Sequence, residues 1–181
     1  MSIFEIDIKK AKPNNFSQIF FGMGCFWGAE RKFWHLDGLY TTVVGYAGGH
    51  TDDPNYEKVC TGTTGHAEVV KVIYDEKKIN LNELLKIFWE SHNPTQLNRQ
   101  GNDIGTQYRS IILTDQNNLI NELEESKEKF QQLLEAESLG KIQTEIKILK
   151  NFYVAEDYHQ KYLYKNPNGY CGLKGLQVNY T

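Results

Sequence analysis

Apolar positions recur along this chain with two periods, about two in some segments and about 3.6 in others, and each switch marks an element boundary. Residues 19–23, Ile-Phe-Phe-Gly-Met, are a short apolar run that predicts a buried strand. Residues 26–36 follow with Phe26, Ala29, Phe33 and Leu36 near one face, a helical pattern stopped by Gly38. Residues 40–46 are rich in Thr and Val and predict a strand, and 67–74 predict another. Residues 81–91 place Leu81, Leu84, Leu85, Phe88 and Trp89 on one helical stripe, and Asn80 with Glu83 supplies a capping-box start. A strand is predicted at 108–114 and a long amphipathic helix at 116–136. Ile142, Thr144, Ile146 and Ile148 alternate with polar residues, a half-buried strand, and 155–164 reads as a short helix. Residues 47–65 and 95–107 carry no periodicity and are long enough, inside a compact domain, to be candidates for functional loops.

The order is β-α-β-β-α-β, then α-β-α and a coil. It predicts an α+β fold, a two-layer sandwich with a ferredoxin-like split βαβ core, extra helices and a long C-terminal coil. A single domain is expected over 1–181, with an irregular lead-in over 1–16 and a flexible Gly- and Asn-rich tail over 165–181.

Composition narrows the function classes. A net charge of −3 on 181 residues gives no sign of a nucleic-acid or membrane partner. No segment approaches the roughly 18 uninterrupted apolar residues of a membrane helix. The first sixteen residues lack the apolar core of a signal peptide, so the cytoplasm is the expected location and a monomer the expected state. The three cysteines form no Cys-x-x-Cys pair, which argues against a structural zinc site and a disulfide scaffold.

Cys25 carries the sharpest chemistry. It stands where the first strand hands over to the first turn of a helix, where free backbone N–H groups and the helix dipole favour a thiolate. Phe26 and Trp27 place apolar surface beside it. On these residues alone, a buried cysteine packed among aromatics is an equal reading. Glu68 shares a strand face with Val70, Val72 and Tyr74, and a carboxyl on an apolar face is held protonated by desolvation; on these residues alone, a strand-end glutamate pointing to solvent is the more common reading. Tyr46 and Tyr108 border the two glycine-rich loops, and Asp103 lies within the second. His66 and His159 sit in no metal-ligand spacing; His66 is expected to shape a turn, and neither is expected to be a catalyst. Cys60 reads as structural and buried.

Gly24-Cys25-Phe26-Trp27-Gly28 resembles the signature of the A-type peptide methionine sulfoxide reductases. Gly45-Tyr46-Ala47-Gly48-Gly49, Thr64-Gly65-His66-Ala67-Glu68, the block from Gln100 to Ser110 and Asn166-Pro167-Asn168-Gly169-Tyr170-Cys171-Gly172 resemble further blocks of that family, in the family's order. The resemblance implies that Cys25 attacks the sulfur of methionine S-sulfoxide, in peptides, proteins or free, while Glu68 protonates the oxygen. It implies that Phe26 and Trp27 receive the methyl group, and that Tyr46, Tyr108 and Asp103 form the oxygen-binding corner. It implies that Cys171 resolves the Cys25 sulfenic acid as a disulfide, that thioredoxin restores both thiols, and that no metal or organic cofactor takes part. Some members carry a second tail cysteine eight positions after the first; this chain has Asn179 there. Two rival readings remain on the residues: a cysteine hydrolase with His66 or His159 as base, and an aromatic-rich peptide-binding module.

Overall fold

The computed structural model describes residues 2–181. Its elements in chain order are β1 (Ser17–Met23), α1 (Phe26–Arg31), β2 (Leu39–Ala47), α2 (Tyr56–Cys60), β3 (Ala67–Tyr74), α3 (Leu81–Ser91), β4 (Arg99–Gln100), β5 (Asp103–Ile104), β6 (Ser110–Thr114), α4 (Ile120–Ala136), β7 (Glu145–Ile148), β8 (Phe152–Val154) and α5 (Tyr162–Lys165).

Six strands form one sheet in the order β7-β6-β1-β3-β2-β8. The central four, β6-β1-β3-β2, are antiparallel throughout. With α1 between β1 and β2 and α3 between β3 and β6, this is the split βαβ arrangement expected from the element order. β7 extends one edge in parallel with β6, and β8 pairs antiparallel with β2 at the other edge.

Strand alternation divides the apolar residues between the two faces of the sheet. Ile19, Phe21, Met23, Val44, Tyr46, Val70, Val72, Tyr74 and Ile112 join the main core with Phe26, Ala29 and Phe33, with Leu84, Leu85, Phe88 and Trp89, and with Leu123, Phe130 and Leu134 of α4. Phe20, Ala47, Ala67, Val69, Ile111 and Leu113 form a second cluster on the opposite face, under Leu149 and Phe152. Both faces are buried, which is why these strands read as near-continuous apolar runs.

Several boundaries differ from the sequence reading. The α-helix expected over 26–36 ends at Arg31, and the chain tightens into i−3 turns from Lys32 to Trp34. The helix expected over 155–164 is reduced to Tyr162–Lys165. Glu30 is the cause: its buried carboxylate accepts the Lys161 backbone N–H and the Lys161 ammonium, both at 2.9 Å, and Lys161 sits in the left-handed region at φ 54°. Gln160 adds to this by donating to the carbonyls of Val44 and Ala155 and accepting from the Val44 N–H. Tyr108 lies in a 3₁₀ turn (Thr106–Tyr108) ahead of β6, not in a strand. The two predicted loops contain α2 and the small β4–β5 hairpin.

The tail beyond α5 has no regular element, as its lack of periodicity predicts. It packs against the body at several points: Leu173, Leu176 and Val178 touch the main core, Tyr180 is buried, and the Tyr180 N–H donates to Glu90 Oε1 at 2.7 Å.

Candidate active site

β1 delivers its last residue, Met23, to Gly24, whose φ of 99° turns the chain into α1. That turn needs glycine twice over, because a Cβ there would also lie 2.8 Å from the Gln100 side chain. Cys25 follows as the residue capping α1. Its sulfur lies against the N–H groups of Trp27 and Gly28, as the strand-to-helix junction predicts. The expected depression of its pKa does not follow. Burial pushes the thiol well above its ordinary value, the charge of Glu68 adds to that push, and the two N–H groups oppose it without overcoming it. Desolvation therefore outweighs the end of a helix only six residues long, and the resting group is a thiol.

Glu68 is 2 % exposed and accepts the Phe26 N–H on Oε2 at 2.9 Å. Burial raises its pKa to about 8, against the pull of that N–H and with a further push from Asp103. The alternation that put Glu68 on the face of Val70 and Val72 thus aims it at the first turn of α1, beside Cys25. Protonated, it no longer opposes a thiolate there. Tyr46 lies opposite Glu68 across the β2–β3 pairing. Tyr108 is raised well above the usual tyrosine range by burial first and then by Glu68. Asp103 is raised by burial, while the Tyr170 hydroxyl donates to its Oδ1 at 3.3 Å.

The aromatic wall is larger than the sequence suggested. Trp27 stacks on Tyr162 at 3.8 Å between ring centroids, and its Nε1–H donates to His159 Nδ1 at 2.9 Å. Phe26 packs against Tyr46 and His159, with ring centroids 5.8 and 5.0 Å apart, and Tyr56 packs against the same imidazole at 4.8 Å. Burial lowers the His159 pKa, so the ring is neutral: it accepts from Trp27 on Nδ1 and carries its proton on Nε2, 3.8 Å from Glu156 Oε2. Glu156 in turn accepts the Tyr46 hydroxyl and the Tyr56 N–H, both at 2.8 Å.

Sequence reasoning missed Tyr56 and Glu156. Tyr56 lies in the loop where α2 went unseen, and Glu156 meets Tyr46 across 110 positions, a contact with no local signature. Cys60 is a correction: it is exposed at the end of α2, not buried, because only Val59 of that short helix turns inward. His66 does shape a turn, accepting the Gly49 N–H at 3.0 Å and donating to the Thr51 carbonyl at 2.8 Å. Both of its nitrogens are taken, and His159 is tied to Trp27, so neither histidine is poised as a base for Cys25. Cys171 comes to the site from the tail: its Sγ lies 2.8 Å from where a Cβ on Gly28 would stand, and Gly28 is three residues after Cys25. All three thiols are free.

The family model described as peptide methionine sulfoxide reductase matches residues 17–179. The chain belongs to that family. A peptide methionine sulfoxide reductase MsrA of Photobacterium profundum is 60% identical over 168 residues, 92% of this chain and 80% of that protein. Methionine sulfoxide reductase A of Corynebacterium diphtheriae superposes with a TM-score of 0.84 at 46% identity, covering 88% of this chain and 79% of that one. Mxr1 of Saccharomyces cerevisiae in its reduced form gives 0.80 at 40% identity, over 90% of this chain and 92% of its own. Mxr1 solved in complex with Trx2 gives 0.57 at 27%, over 84% and 88%. The A-type assignment and the α+β fold expected from the sequence both stand on these matches. Among the described residues no helix is long and apolar enough to cross a membrane.

Proposed function

We propose that this chain reduces methionine S-sulfoxide to methionine, with Cys25 as nucleophile, Glu68 as acid and Cys171 as resolving thiol. The sulfoxide methyl lies against Phe26 and Trp27, and its oxygen points to the corner of Glu68, Tyr46, Tyr108 and Asp103. The Cys25 sulfur attacks the sulfoxide sulfur while Glu68 gives its proton to the oxygen, and the Cys25 thiol proton passes to the Glu68 carboxylate and restores the acid. The oxygen ends on Cys25 as a sulfenic acid, methionine leaves, and the two electrons have come from the Cys25 sulfur. The Cys171 sulfur then displaces that hydroxyl as water and forms the Cys25–Cys171 disulfide. A dithiol protein of the thioredoxin type reduces this bond; the solved complex of Mxr1 with Trx2 supports that choice of partner. Because Asn179 stands where a second tail cysteine would be, the reductant attacks the Cys25–Cys171 bond itself.

One observation carries this reading: a carboxyl 2 % exposed, raised to about 8, hydrogen-bonded to the N–H next to Cys25. A protonated acid beside a thiol suits oxygen removal from a sulfoxide, and with His66 and His159 both engaged no imidazole is free to serve Cys25 as a hydrolase's base. Every residue in the scheme comes from one chain, so a monomer suffices, and its dependence on free thiols suits a cytoplasmic setting. The test is dithiothreitol-dependent reduction of a methionine sulfoxide peptide by wild type and Cys25→Ser. Turnover by wild type alone is expected; equal turnover by both would remove Cys25 from the mechanism.

A further inference from the structure

Gly28 touches both of the sulfurs that this reading joins. Its N–H lies against the Cys25 sulfur. A Cβ built on Gly28 would lie 2.8 Å from Cys171 Sγ, 3.4 Å from Leu173 Cβ and 3.9 Å from Cys171 Cβ. The sulfur of Cys171 therefore fills the space where a side chain would be. Backbone geometry does not explain this glycine. It is absent from the positive-φ glycines and sits inside α1, where glycine costs about 1 kcal/mol relative to alanine. A residue locally unfavourable and buried is explained by the room it leaves.

We infer that Gly28 is a positioning residue for disulfide formation, its missing side chain forming the seat in which Cys171 waits beside Cys25. The inference rests on the assignment of Cys171 as the resolving thiol. The tail is held on both sides of the seat. Before it, the Tyr170 hydroxyl donates to Asp103 at 3.3 Å; after it, Leu173 packs into the main core. Further along, Gly175 lies so close to the Glu90 carbonyl that a Cβ would come within 1.9 Å of it. An added methyl on residue 28 is thus relieved by moving the sulfur rather than the tail. The Cys171 sulfur attacks the sulfenic sulfur of Cys25, the S–O bond breaks, and the hydroxyl leaves as water with the Cys171 proton. Cys171 is oxidised and the Cys25 sulfur is reduced by one electron each, forming the S–S bond.

Non-bonded atoms settle at about 3.5–4.0 Å, so a methyl at 2.8 Å displaces Sγ by about 1 Å. A misplacement of that size costs on the order of 10²-fold in a positioned reaction. The experiment uses the reduced protein and one equivalent of a methionine sulfoxide peptide, without external thiol. Methionine release and loss of the second thiol are timed separately. In Gly28→Ala the ratio of the second rate to the first should fall about 10²-fold. A ratio equal to that of wild type overturns the inference, including the case where both rates fall together. A thermal cycle supplies a readout independent of turnover. Gly28→Ala should raise Tm less in the parent protein than in a Cys171→Ala background, where the nearest clash is gone and the helical preference of alanine acts alone; equal shifts in both backgrounds overturn the seat. If wild type itself forms no Cys25–Cys171 bond, the resolving assignment fails and the inference with it. If wild type forms the bond and Gly28→Ala forms it equally fast, the assignment survives and the seat alone is wrong.

Discussion

Glu68→Gln is the substitution whose outcome the geometry constrains most. Glutamine keeps the length and can accept the Phe26 N–H as Oε2 does here at 2.9 Å. It removes the ionisation and the deliverable proton. The folded carboxyl titrates near 8 against an ordinary value of 4.5, chiefly through burial. The folded state therefore holds a proton that the unfolded chain has released between those two values. Stability falls as pH rises through that window, because the folded state binds more protons. The difference between the two values is worth roughly 5 kcal/mol at 1.36 kcal/mol per unit, or about 3–5 kcal/mol once local relaxation is allowed for. Urea denaturation should show Glu68→Gln close to wild type at pH 5 and more stable by about 3–5 kcal/mol at pH 9. Activity should move the opposite way. Single-turnover methionine release should slow by about 10²–10⁴-fold, and the wild-type fall in rate above pH 8 should vanish. A variant no more stable than wild type at pH 9, with near-normal release, would refute the idea that Glu68 is a buried, protonated acid.

Two further substitutions probe the frame of the site. Trp27→Ala removes the ring stacked on Tyr162 and should raise KM for a methionine sulfoxide peptide by an amount worth about 1–3 kcal/mol, read from initial rates. Lys161→Met keeps the apolar stem but leaves Glu30 at 0 % exposure without its ammonium, and should cost about 3–5 kcal/mol in urea unfolding.

The parts of this site that were legible in the sequence are those set by strand and helix periodicity. Cys25 was visible as the residue between a strand pattern and a helix pattern, and Glu68 as the acid among Val70, Val72 and Tyr74. The central four-stranded sheet followed from element order. What escaped depended on contacts across the chain. Glu156 gathers Tyr46 and Tyr56 from 110 and 100 positions away, and Glu30 shortens the last helix by capturing Lys161. The helix end does not make Cys25 a thiolate, for a quantitative reason: periodicity reveals the N–H groups but not the depth of burial that overrides them. Cys60 was misread because α2 is too short to show a period, so nothing indicated which of its residues face solvent.

The central claim is that the sulfoxide oxygen passes to Cys25 with no help from the tail. It is tested most directly in Cys171→Ser, given one equivalent of a methionine sulfoxide peptide and analysed by quenched-flow methionine assay and peptide mass. The account predicts one equivalent of methionine, the mass of one added oxygen on the Cys25 peptide, and unmodified Cys60. Failure to release methionine, or oxygen or a disulfide at Cys60 in place of Cys25, would contradict it.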